Sequence, residues 1–206
     1  MIWVWNFILY SFFGFLLEVA YARATGGRGD RKSLLVLPLC PVYGVGACLI
    51  LLLPRTVIQN PFTLFLLGGL AATAAEYGMA ILYERGLGVS FWDYTGLPGN
   101  LRGRVCLPFS LSWGLLTVPA VTRVAPLLEL LERRIPAGIT WLCLMVFTAD
   151  AVCSLYFLFR THDLTALRQA AVAADMAVSG VLMKVTGNRD CLRWYQKRAE
   201  KAREGG

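Results

Sequence analysis

The chain has 206 residues, of which 57% are apolar and only 16% charged, and it carries a net charge of +7 with a positive mean hydropathy. That balance excludes a soluble globular domain and describes an integral membrane protein. The positive excess then speaks to topology and anionic lipid headgroups, not to nucleic acid.

Five apolar segments approach the ~20 residues that a helix needs to cross a hydrocarbon core. The first runs from Ile2 to Ala22, with no basic flank before it and no cleavage pattern after it, and reads as a span and not as a removable signal. Ser11, Gly14 and Glu18 share one of its faces, and small residues on such a stripe let helices approach, so Glu18 is expected to face the bundle interior. The second span is expected over Ser33 to Leu53. Pro38 and Pro41 stand at its entry, where they either break the helix and free carbonyls or occupy an ordinary first turn. The third runs from Phe62 to Tyr83 and repeats the small-residue face with Gly69, Ala72 and Glu76. The fourth is expected from Val105 to Val121 with Pro108 at its start, followed outside by a short amphipathic surface helix over Ala125 to Pro136. The fifth, Gly138 to Phe159, holds Asp150 and Ser154 one turn apart.

An acid at the middle of a spanning helix costs on the order of 3 kcal/mol to insert, so it must be paired, protonated or facing water. Glu18, Glu76 and Asp150, with Tyr21 and Ser154 beside them, are therefore the candidate ion or proton site. The bland alternative is that each acid pairs with a tyrosine or arginine merely to hold helices together. No catalytic residue, cofactor or metal is assigned. The six cysteines have no C-x-x-C spacing, and Gly27 to Ser33 fails the G-x-x-x-x-G-K-S/T pattern, so this chain carries no nucleotide-hydrolysis motif.

Basic residues set the orientation. Arg23, Arg28, Arg31 and Lys32 follow the first span, Arg85, Arg102 and Arg104 follow the third, and nine more lie from Arg160 onward, sixteen of the twenty in all. The positive-inside rule places the amino terminus outside and the carboxyl terminus in the cytoplasm. The cytoplasmic loop from Val89 to Pro108 is aromatic, turn-rich and basic. Its Trp92 and Tyr94 suit the headgroup level, while Arg102 and Arg104 suit a phosphate, a partner protein or Asp93, so the loop either anchors at the interface or recognises a partner. Beyond Arg160 the apolar residues recur at helical spacing among charges, the pattern of a basic amphipathic tail lying on the membrane.

Leu37-Pro-Leu-Cys-Pro-Val-Tyr-Gly44 matches Leu107-Pro-Phe-Ser-Leu-Ser-Trp-Gly114, and Glu18 corresponds in place to Glu76. Two helices therefore repeat as a parallel pair about an axis along the membrane normal. The fold expected is all-α: a polytopic helical bundle over residues 1–160 with about five spans, then the cytoplasmic amphipathic tail over residues 161–206.

Ser11-Phe-Phe-Gly-Phe-Leu-Leu-Glu18, the Leu37 to Gly44 element, Phe91-Trp-Asp-Tyr94 and Asn100-Leu-Arg-Gly-Arg-Val-Cys-Leu-Pro-Phe-Ser110 together resemble the CmpB-like bacterial membrane family described as type IV ABC-transporter permeases. The resemblance covers roughly residues 7–160. It implies a multi-pass plasma-membrane protein, a transporter's membrane subunit, with a separate ATP-binding subunit as partner. The small size adds a homodimer as an alternative. Two other readings stay open: an intramembrane enzyme using two acids as general acid and base on a lipid-linked substrate, and an accessory or sensor protein without flux.

Overall fold

In the computed structural model, residues 1–25, 34–164 and 167 are described. The chain divides into two compact units, Met1–His162 and Asp163–Gly206. The amphipathic tail and the basic stretch Arg28 to Lys32 lie outside the described residues.

Four helices are long and apolar enough to cross a membrane: α1 (Ile2–Ala24), α3 (Pro61–Leu87), α4 (Leu107–Glu132) and α5 (Ala137–Thr161). Between the first two stand the shorter α2 (Pro41–Leu51) and a single turn at Arg55–Ile58. Among the described residues there is no strand, only one isolated bridge between Leu101 and Val105. The all-α polytopic bundle is thus as the hydropathy requires.

Two boundaries differ from the sequence expectation. The second span was expected as one helix from Ser33 to Leu53, but Leu34 to Cys40 is not helical and only Pro41–Leu51 is. Eleven residues rise about 16 Å, half of a hydrocarbon core. Pro41 fills the first turn, where its missing donor costs nothing, whereas Pro38 lies in the irregular stretch and keeps the residue before it out of the helical region. The fourth helix is longer than expected and takes in the outer surface segment, because Pro119 does not end it. The helix runs on through Pro119 into a π-turn at Ala120–Val124, and the Tyr10 hydroxyl of α1 donates to the Ala120 carbonyl at 2.9 Å.

Helix ends are capped by local chemistry. Asn60 Oδ1 accepts from the amides of Phe62 and Thr63 to start α3, with Pro61 in the first turn. Gly88, at φ +69°, closes it in the left-handed region that favours glycine. His162 closes α5 at φ +49°, and its Nδ1–H donates to the Leu87 carbonyl at 2.7 Å, so α3 and α5 end side by side.

Packing runs α1 against α2, α2 against α3 and α3 against α4, with α5 along α1. Trp5 Nε1 donates to Thr140 Oγ1 at 2.9 Å, and Phe7 meets Phe147 edge-on at 5.5 Å. Small apolar clusters, Tyr10 with Ala47 and Leu128, and Ile50 with Leu64 and Val121, fill the interior. Leu70, Leu115, Leu127, Trp141 and Phe159 stay exposed on long apolar helices, as a hydrocarbon solvent allows.

The repeat is visible in the contacts. One constant offset carries Phe7, Ser11 and Glu18 onto Phe65, Gly69 and Glu76, and another carries Tyr43 and Gly44 onto Trp113 and Gly114. A methyl group on Gly44 would collide with Ser11 Oγ and the Phe7 carbonyl; one on Gly114 would come within 2.8 Å of the Phe65 carbonyl. One on Gly69 would reach Gly114 Cα at 2.9 Å. Both crossings therefore use the same positions of the repeated pair.

Candidate functional site

Glu76 is the most deeply held of the three acids. It is 4% exposed, and its two oxygens each accept from a neutral donor: Oε1 from the Tyr94 hydroxyl at 3.0 Å, Oε2 from Trp113 Nε1 at 2.9 Å. Among the described residues no basic side chain pairs with it. Glu84 on the same helix is treated differently. Arg104 Nε and Nη2 donate to its Oε2 at 2.9 and 2.5 Å, and Arg104 Nη1 donates to the Tyr77 hydroxyl at 3.3 Å. Hydrogen bonds to Glu84 and Tyr77 hold the Arg104 guanidinium above its already high ordinary value.

Glu18 lies half-buried on α1, where Cys40 Sγ donates to its Oε1 at 3.5 Å. It acts electrostatically on Glu76. Tyr43 and Trp113, equivalent in the repeat, meet edge to face at 5.3 Å. Tyr43 lies over Gly14, where any side chain would strike its ring. Glu18 and Glu76 are thus brought into one aromatic-walled cluster.

Asp150 has another task. Its Oδ2 accepts from the Leu37 amide at 3.0 Å and its Oδ1 from the Val36 amide at 3.1 Å, with the Ser154 hydroxyl donating to Oδ1 at 3.3 Å. Leu34, Leu35, Leu39 and Cys40 of that irregular stretch are buried, and amides there need acceptors at a depth where water is scarce. Asp150 supplies them from α5. Tyr21 is exposed, with its ring 6.0 Å from Phe109.

The loop between α3 and α4 is folded on itself, not spread along headgroups. Trp92 Nε1 donates to the Arg104 carbonyl at 2.7 Å, the Tyr94 amide to the Gly103 carbonyl at 2.7 Å, and Asp93 Oδ1 accepts from the Thr95 amide at 3.0 Å. Arg102 (φ +55°) and Gly103 (φ +70°) reverse the chain and return Arg104 to α3. Tyr94, expected at the headgroup level, instead reaches inward to Glu76 and stacks on Phe109 at 4.8 Å. Burial, then the neighbouring Glu76 charge, pushes its phenol well above the usual range. Arg104 meets Glu84 and not Asp93. Asp93 and Arg102 are exposed.

Pro108, like Pro41, sits in a first helical turn. Sequence reasoning missed Trp113 and Cys40 as partners of the acids. The repeat carried a signal for the first, since Trp113 falls on Tyr43 one residue before the shared glycine. It also missed Glu84 and Tyr77, whose seven-residue spacing puts them on one stripe. Among the described residues no group of three His, Cys, Asp or Glu side chains is placed to hold a metal ion.

No curated protein and no solved structure matches the chain. A family model does, over residues 5–155, and its description is "Putative ABC-transporter type IV". The match covers the whole bundle from α1 into α5, so the protein is transporter-related and belongs to this ABC-transporter type IV (CmpB) family.

Proposed function

We propose that the protein is the permease-like membrane subunit of a transporter, and that Glu18 and Glu76 form a cytoplasm-facing proton or cation site in its bundle. The observation that carries this reading is the contrast along α3. Glu84 is neutralised by Arg104, while Glu76, more buried, is met among the described residues by a phenol and an indole. A carboxylate bound to an arginine is held in its charged form, whereas one met by neutral donors can still take up and release a proton or ion. Tyr94 lies across the site from the loop side and acts as its gate. Asp150 and Ser154 support the site indirectly by holding the irregular entry to α2, and Tyr21 by packing on Phe109.

The orientation follows the basic residues: amino terminus outside, loop and tail in the cytoplasm, in a bacterial plasma membrane. A separate ATP-binding subunit is the partner, and the exposed Asp93 and Arg102 are where it docks.

The test uses protein purified from its own membranes with whatever stays bound, reconstituted in liposomes that enclose a pH-sensitive dye. Glu76→Gln and Glu18→Gln are each expected to abolish proton- or cation-dependent flux while the protein stays folded. Wild-type flux in both variants would reduce the acids to structural groups and overturn the site.

A further inference from the structure

A further acid of the bundle stands at the end of α4, outside the cluster around Glu76. Glu132 ends α4, is only 8% exposed, and both its carboxyl oxygens are buried without a hydrogen-bond partner. Native structures rarely leave a polar side chain this way unless an ion, a water or a proton completes it.

The charged and titratable groups around it do not neutralise it. On its own helix Glu129 adds negative charge and is already bound to Arg133 at 2.6 Å. The amides of Arg133, Arg134 and Ile135 are taken by the carbonyls of Glu129, Leu131 and Glu132. From α1, the Tyr10 hydroxyl has given its one proton to Ala120. The Met1 amino group lies within electrostatic reach but makes no ion pair. The C-terminal end of a helix carries partial negative charge, which further disfavours a carboxylate there. A hard metal cation would need about six oxygen ligands, which these neighbours do not provide.

We propose that Glu132 is a proton-binding site: its carboxylate takes one proton, becomes the neutral acid, and releases the proton when the end of α4 is wetted. Its place gives that proton meaning. Met1 is near Glu132, and Glu18 lies seventeen residues further along the same α1, about 25 Å away at 1.5 Å per residue. The bundle thus holds an acid toward each end of α1. This inference does not depend on the Glu18 and Glu76 site.

The experiment is carbodiimide labelling of the full chain in mild detergent across acid to alkaline buffers, with peptide mass spectrometry locating the adduct. Dicyclohexylcarbodiimide partitions into apolar surroundings and adds to the protonated acid, whose proton passes to the reagent's nitrogen as the carboxyl oxygen bonds to its central carbon. Glu132 is expected to carry the adduct, with the rate falling about tenfold per pH unit above its midpoint. A water-soluble carbodiimide is expected to spare it. Infrared spectra should show a protonated-carboxyl band that Glu132→Gln removes. A Glu132 left unlabelled in folded protein, a rate flat with pH, or equal labelling by the water-soluble reagent would each overturn the proposal.

Discussion

The hydrogen bond between Tyr94 and Glu76 joins a loop side chain to a buried acid, and removing the hydroxyl leaves Glu76 Oε1 without its donor. Tyr94→Phe is expected to lower stability by about 1–2 kcal/mol, the scale of a buried hydrogen bond to a charged group moderated by the membrane setting. The same residue sets a pH dependence. Its phenol is held above the ordinary value, so the folded state binds that proton more tightly than the unfolded state does. The stabilisation is fully present below the unfolded value, about pH 10, and is lost as pH rises from there through the folded value. Melting curves from neutral pH to beyond pH 10 should fall on the alkaline side for the wild type and fall less for Tyr94→Phe. Equal alkaline loss in the two proteins would place the linkage in other groups.

At the scale of elements, the two crossings of the repeat make a matched pair of experiments. Gly114→Ala would set a methyl against the Phe65 carbonyl and ring, and Gly44→Ala would set one against Ser11 Oγ and the Phe7 carbonyl, so each should destabilise by about 1–3 kcal/mol. Gly78, with open space where a side chain would go, should accept alanine without loss. Asp150→Asn leaves one of the two amides without its acceptor, and hydrogen exchange at Val36 and Leu37 should accelerate by tenfold or so while α5 stays protected. Unchanged exchange there would show that the irregular stretch holds itself. This stretch also marks where sequence reading stops. Helices α1, α3 and α5 were legible because apolar length alone specifies a span. The seven residues from Leu34 to Cys40 are as apolar as a helix, but hydropathy counts side chains and not backbone hydrogen bonds. Two prolines three residues apart weaken the local helix, and the acceptor that offers the alternative comes from Asp150, more than a hundred residues away. The length of α4 was hidden for a similar reason: the helix continues past Val121 through the π-turn at Ala120–Val124, and the Tyr10 hydroxyl that bonds the Ala120 carbonyl there comes from α1. The acids themselves were conspicuous as intruders in apolar runs. Their partners were not, because Cys40, Trp113 and Tyr94 look like ordinary apolar and interfacial residues until the fold sets them beside a carboxylate.

Among the described residues four long apolar helices and the shorter α2 make the bundle of a protein in a family described as ABC-transporter type IV. The proposed ATP-binding partner would dock on the loop between α3 and α4. Its inward residues, Trp92, Tyr94 and Arg104, are occupied with the loop's own fold and with α3, which leaves Asp93 and Arg102 as the charged groups a partner can read. Arg102 is exposed and held at a positive φ, a conformation that costs a non-glycine residue on the order of 1 kcal/mol. The two classes of variant should therefore part company. Arg104→Ala is expected to loosen the loop, seen as faster hydrogen exchange at Tyr94 and Gly103, whereas Arg102→Glu should leave exchange unchanged, and both it and Asp93→Lys, which also gives up the acceptor of the Thr95 amide, should remove the partner. Purification from native membranes in mild detergent, followed by mass spectrometry of what stays bound, reads the outcome. A stoichiometric ATP-binding subunit that is retained by the wild type and reduced at least tenfold by the charge reversals would establish the docking face. Recovery of this chain with copies of itself alone would sink the partner, and any flux would then have to be driven through the ion site proposed at Glu18 and Glu76.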